Sequence, residues 1–180
     1  MIDSPWSESL KLSQVTGLAP GRRLERRLVA GPAERKAIAE HLDAEAIERL
    51  EADLSISPWF DGVQIEGRWR AEVVQICGVT LEPFSTALDG AFTVRAVPEH
   101  SALAPREAGH EIVVDPDADD PPDVLEDDVV DLAGYVVEHL ALEVDPFPRK
   151  PGVEFTLPEQ PRESSPFDLL RNLKGGPGEK

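Results

Sequence analysis

From Val63 to Pro83 the chain reads VQIEGRWRAEVVQICGVTLEP, its longest unbroken alternation of apolar and polar positions. Val63, Ile65, Trp69, Ala71, Val73 and Cys77 fall on one side, interrupted by Gly67 and Gln75, while Gln64, Glu66, Arg68, Arg70 and Glu72 fall on the other. A period of two over this length predicts a half-buried strand. Val74 and Ile76 turn the polar side apolar near the end, which predicts entry into a region covered on both faces, and Gly78 breaks the pattern. Upstream, Leu50, Ala52, Leu54 and Ile56 alternate with Glu51, Asp53, Ser55 and Ser57, and SPWFDG supplies a turn, so the two segments predict an antiparallel pair. Downstream, Phe84, Thr86 and Leu88 precede Asp89-Gly90, and Phe92, Val94 and Ala96 precede Pro98. The order predicts a meander of three or four antiparallel strands.

Helical spacing occurs at two places. Gly31, Pro32 and Glu34 form a helix start, with Ala33, Ala37, Ile38 and Leu42 on one stripe. Asp43 is placed to cap a second segment carrying Ile47 and Leu50, which extends the prediction to a helix or helix pair from about Ala33 to Leu50. Val129, Leu132, Ala133, Val136 and Leu140 form the stripe of a second helix from about Asp127 to Leu140. At the N-terminal end, Trp6, Leu10 and Leu12 suggest an edge strand before a turn at Gly17, Pro20 and Gly21. The expected fold class is α+β: an antiparallel sheet, open or curled into a partial barrel, covered by two main helices.

Two segments depart from this regularity. Glu107 to Asp128 holds ten acidic residues and no Lys or Arg, with three prolines, inside a stretch of about 99–126 expected to be a mobile acidic loop, interrupted by a short strand at Ile112 to Val114. Pro146, Pro148 and Pro151 open a linker, after which Ser165, Pro166 and Asp168 match a capping pattern and Phe167, Leu170 and Leu173 share one side of a short helix. The expected organisation is therefore one α+β domain over 1–150 and a linker with a short amphipathic helix over 151–180. Such a helix is marginal alone and must dock, on its own domain or on a partner.

Charge narrows the functional classes. The 180-residue chain carries 18 basic and 35 acidic residues, a formal net charge of −17, so it repels nucleic acid at long range and suits basic partners. Arg22, Arg23, Arg26 and Arg27 form the densest positive cluster, which reads either as a solvated face or as a contact for phosphate or an acidic partner; Arg68 and Arg70 join them as candidate RNA or partner contacts. No run approaches the roughly 18 apolar residues of a membrane span and no leader pattern begins the chain, so a cytoplasmic protein is expected. Its single cysteine excludes an internal disulfide. His41, His100, His110 and His139 are scattered, and no zinc-protease spacing, nucleophile elbow or phosphate loop occurs. No metal, cofactor or catalytic residue is expected.

The strand ending in Cys77, the turn Thr80-Leu81-Glu82-Pro83, the segment VVDLAGYVVEHLALEVDPFP and the tail SPFDLLRNLK together resemble the YceD family, the bacterial large ribosomal RNA subunit accumulation proteins. Many members of that family carry C-x-x-C before Leu-Glu-Pro; this chain has Cys77-Gly78-Val79-Thr80, so a two-cysteine zinc or dithiol site cannot form. The resemblance implies a non-enzymatic role in ribosome biogenesis, through large-subunit ribosomal RNA or a ribosomal or processing protein. An acidic adaptor or chaperone for a basic partner is the alternative; a metal-dependent nuclease has only the abundance of carboxylates in its favour.

Overall fold

The computed structural model describes residues 4–105 and 120–155. Within them the elements run β1 (Ser9–Lys11), α1 (Leu12–Thr16), β2 (Leu24–Val29), α2 (Pro32–His41), β3 (Ala46–Trp59), β4 (Gly62–Ile76), β5 (Pro83–Pro98), β6 (Asp123–Leu125), β7 (Val129–Asp131) and α3 (Leu132–Glu143). The α+β expectation holds. One sheet has the order β2-β3-β4-β5-β6, antiparallel except for the β5–β6 pair, and a two-stranded sheet joins β1 to β7. The larger sheet is open, with β2 and β6 as edges, so the partial barrel does not form.

Alternation decides which face is buried. Leu50, Ala52, Leu54 and Ile56 of β3 line up with Ala71, Trp69, Gly67 and Ile65 of β4, which in turn face Leu88, Gly90, Phe92 and Val94 of β5. This face is closed by Val15 of α1, Ile38 of α2 and Val136 and Leu140 of α3, all at 0% exposure. The interruption of the alternation at Gly67 has a steric cause. Gly67 lies opposite Phe92, and Gly90 lies opposite Trp69; a Cβ on Gly67 would overlap the Phe92 ring, and one on Gly90 would come 2.7 Å from the Trp69 ring. Each ring lies across the bare backbone of the facing strand. Phe92 is then covered by the imidazole of His139, stacked at 4.2 Å between ring centres, which seats α3 on the sheet.

Several boundaries differ from the sequence reading, each for an identifiable reason. The helix expected over Ala33–Leu50 ends at His41, because Asp43 takes a left-handed conformation (φ 52°) instead of capping a second helix. Ile47 and Leu50 resemble a helical pair because a bulge shifts the register between Ile47 and Arg49, so both point inward despite their three-residue spacing. Asp89-Gly90 is not a turn; it lies inside β5, where Gly90 makes room for Trp69. The N-terminal strand covers only Ser9–Lys11, and Leu12–Thr16 forms a third, short helix. The helix expected from Asp127 begins at Leu132, capped by Asp131, whose carboxylate accepts the N–H of Gly134 (3.1 Å) and of Glu8 (3.0 Å). Within the acidic stretch, Asp123–Leu125 forms β6 parallel to the end of β5. Ile76 is 38% exposed, so the end of β4 is not covered on both faces as expected. The strand expected at Ile112 to Val114 and the tail with Phe167, Leu170 and Leu173 lie outside the described residues.

Gly90→Ala is expected to destabilise the protein by about 1–3 kcal/mol, since the added methyl group must displace the Trp69 ring. Urea unfolding followed by tryptophan fluorescence checks this, with a milder loss expected when Trp69→Leu is made in the same chain.

Candidate interaction surface

The helices cover one face of the five-stranded sheet; the opposite face, from β2 to β5, carries the polar half of each alternation. The register arranges it in rows. Arg27, Asp53, Arg68 and Ala91 lie side by side, next to a row of Glu25, Ser55, Glu66 and Thr93 and another of Val29, Glu51, Arg70 and Asp89. Arginine and carboxylate alternate across the strands in two of these rows, and the Glu25 row carries carboxylates alone. Arg23 meets Glu66 at 2.7 Å, while Glu51 accepts from Arg49 at 2.6 Å and from Arg27 at 3.3 Å. The Arg23 guanidinium and the Gln64 amide hold the Glu66 carboxyl below its ordinary range. Pairs this exposed each contribute at most about 1 kcal/mol, so the pattern bears on surface charge more than on stability.

The six arginines singled out from the sequence are not brought into one positive patch. Arg22 sits in the turn before β2, where its N–H bonds the Ala19 carbonyl. Arg23 and Arg27 share the open face with Arg68 and Arg70, whereas Arg26 projects from the opposite side of β2, beside inward-facing Leu24 and Leu28. Two adjacent strand residues cannot share a face, so the doublet Arg26-Arg27 is split by geometry alone. Arg68 and Arg70 are exposed and have no ion pair among the described residues.

Negative charge gathers elsewhere, around α3 and β6. The Tyr135 hydroxyl donates to Asp123 at 2.9 Å; burial and the neighbouring Asp123 charge raise the tyrosine above its ordinary value. Burial, followed by repulsion from Asp123, also raises the Glu138 carboxyl. A groove of about 520 Å³ between β5, Asp120-Pro121 and α3 is lined by Thr93, Val94, Arg95, Asp120, Asp123 and His139. His139 donates its Nδ1–H to the Tyr135 carbonyl at 2.8 Å. The group lies outside the sheet's charge-balanced face.

At the far end of β4 the chain folds back on itself. After α3, Asp145 to Lys150 crosses the β4–β5 turn. The Gln75 amide donates to the Asp145 carbonyl (2.8 Å), the Gly78 N–H donates to the Pro148 carbonyl (2.9 Å), and Lys150 pairs with Glu82 (3.1 Å). Cys77 sits beneath this strap at 0% exposure, its sulfur accepting the N–H groups of Lys150 at 3.4 Å and Val79 at 3.5 Å. The Lys150 N–H, followed by the hydroxyl and N–H of Thr80, lowers the thiol to about 6 against the opposing effect of burial. Thr80 therefore aims its donors at the sulfur from the position where the C-x-x-C pattern has its second thiol. Among the described residues no three His, Cys, Asp or Glu side chains are grouped to hold a metal ion, and no helix is long and apolar enough to cross a membrane.

The sequence reading put Cys77 on the apolar side of its strand but missed the strap. Three prolines indicate an extended segment, yet nothing local shows what it lies against. It also missed the groove that joins residues from β5, β6 and α3.

Cys77→Ala leaves the Lys150 and Val79 N–H groups without their acceptor and is expected to lower stability by about 1–3 kcal/mol, whereas Cys77→Ser, which restores an acceptor, loses less. Chemical unfolding of the three proteins checks the order. The wild-type thiol is expected to react with Ellman's reagent only once denaturant is present.

A family model described as large ribosomal RNA subunit accumulation protein YceD matches residues 65–174, from within β4 through α3 to the tail. No curated protein and no solved structure matches the chain.

Proposed function

The chain belongs to the YceD family of large ribosomal RNA subunit accumulation proteins, and from that premise we propose that it serves ribosome biogenesis as a non-enzymatic factor that holds a basic ribosomal or RNA-processing protein. The observation behind this choice is the surface charge. Rows of arginine alternating with carboxylate leave no continuous positive surface on the open face, and the whole molecule carries −17. Phosphate-dominated binding needs several cations acting together. A lysine- or arginine-rich protein is attracted by the same charge, and its association is accelerated at low ionic strength. On this reading large-subunit RNA accumulates because a protein that binds or processes it is kept available, and the chain itself makes and breaks no covalent bond.

Direct contact with ribosomal RNA is the second reading, favoured by Arg68 and Arg70, which project from the open face without an ion pair among the described residues. Capture of the tagged protein in dilute and in moderate salt, with mass spectrometry and RNA sequencing of what is retained, separates the two. The expected result is a basic ribosomal or processing protein that survives ribonuclease treatment and weakens as salt rises, unchanged by Arg68→Gln with Arg70→Gln. Binding of purified large-subunit RNA by the purified chain, reduced by those two substitutions, overturns the proposal in favour of RNA contact. Cleavage of that RNA by the purified chain overturns the non-enzymatic assignment.

A further inference from the structure

The two edges of the five-stranded sheet differ in how they are guarded. β2, six residues long, carries Glu25, Arg26 and Arg27, with Arg26 directed to the side of the sheet that is otherwise apolar. Such charges are a common means of keeping a foreign strand off an edge. The other edge is different. β6 pairs only with Ala96, Val97 and Pro98, so most of β5 has no strand partner beyond β4 among the described residues.

The register shows which backbone groups this leaves exposed. The Cys77 N–H donates to the Glu82 carbonyl at 2.9 Å, which makes that pair hydrogen-bonded, and pairs alternate along an antiparallel ladder. Pro83, without an N–H, accordingly falls in a non-bonded pair with Ile76. Ser85, Ala87, Asp89, Ala91 and Thr93 follow the same parity, and their N–H and C=O groups point away from β4. They form a strand-sized row roughly 27 Å long. All five residues are exposed, and the only charge among them is that of Asp89.

We propose that this edge of β5 accepts an extended, lysine- or arginine-rich segment of a partner protein as an added strand. The row of backbone groups, which have no strand partner among the described residues, supplies the hydrogen bonds in this mode of recognition, and charge supplies the preference. The preference for positive charge comes from the molecule's net charge of −17. The row carries Asp89 and ends beside the groove holding Asp120 and Asp123. Three arginines lie near the row: Arg70 and Arg68 on β4 stand opposite Asp89 and Ala91, and Arg95 lines the groove, donating to Gln64 and lying 5.2 Å over the Trp59 ring. A second copy of this chain is disfavoured, because joining two such edges brings together two molecules of −17 each. The inference rests on the proposed basic partner and adds where that partner binds and in what conformation.

Hydrogen exchange on the full-length protein tests it, with a nine-residue peptide of alternating lysine and valine as probe and the corresponding glutamate–valine peptide as control. The lysine peptide is expected to slow exchange at the amides of Ala87, Asp89 and Ala91 at least tenfold, less in high salt, while the glutamate peptide does nothing. Ala87→Pro with Ala91→Pro removes two outward donors and should weaken lysine-peptide binding at least tenfold with little change in melting temperature. Ala91→Lys, which keeps the backbone intact and adds a repelling charge, should weaken it as well. Equal binding of both peptides, protection elsewhere, or undiminished binding by both variants overturns the inference. So does protection of the same amides in the free protein that is lost on removing residues 156–180, or that appears with rising protein concentration alone; the occupant is then the chain's own tail or a second copy. If the wild type captures a basic ribosomal or processing protein from cells and the variants capture it equally, the edge assignment fails while the broader proposal stands. If the wild type captures none, the broader proposal fails, and the peptide experiment still judges the edge.

Discussion

The fold depends on a reciprocal fit between the two longest strands. Where β4 has glycine, β5 has phenylalanine, and where β5 has glycine, β4 has tryptophan: Gly67 faces Phe92 and Gly90 faces Trp69. Neither ring could lie so close to the facing backbone if a Cβ were present. A register slip of one residue would turn every inward side chain outward; a slip of two would leave both rings facing residues with side chains. The interlock therefore selects one register out of many that hydrophobic alternation would allow. It also positions Phe92 to receive the His139 ring, and through that stack it fixes where α3 crosses the sheet.

Once α3 is placed, the rest of the surface follows. Asp131 ties the start of α3 to β1 through Glu8, while the strap after its end is held on the β4–β5 turn by Gln75, Gly78 and Cys77. Both ends of the helix are thus anchored, and residues far apart in the chain come to share one region. Asp120 and Asp123 line one groove, and Asp123 also acts on Glu138, near the point where β6 begins and the β5 edge opens. Positive charge is spread over the opposite face, where Arg23, Arg27 and Arg49 pair with carboxylates and Arg68 and Arg70 have no ion pair among the described residues.

Thr80 stands where a C-x-x-C pattern would place its second thiol. Thr80 directs its hydroxyl and N–H at Cys77, and the strap contributes a further N–H from Lys150. The sulfur is satisfied by hydrogen bonds within the chain. In this protein the turn serves as the seat for the strap, and Cys77 is the acceptor at its centre.

What the residues determined without any coordinates was local and periodic. The alternations at Leu50–Ile56 and Val63–Val73 predicted the β3–β4 hairpin, the sequence SPWFDG its turn, and the Pro32 start of α2 and the apolar stripe of α3 were likewise legible, because each rests on neighbours within a few residues. The motif likeness indicated the family for the same reason. Tertiary structure decided what depends on distant partners. It showed that Ile47 and Leu50 belong to a bulged strand and not a helix, that Asp89-Gly90 lies within a strand because Trp69 occupies the space above it, and that Arg26 and Arg27 face opposite ways. The open edge of β5 belongs to the same class, since whether a strand lacks a neighbour is a property of the whole sheet and is written in no single segment of the chain.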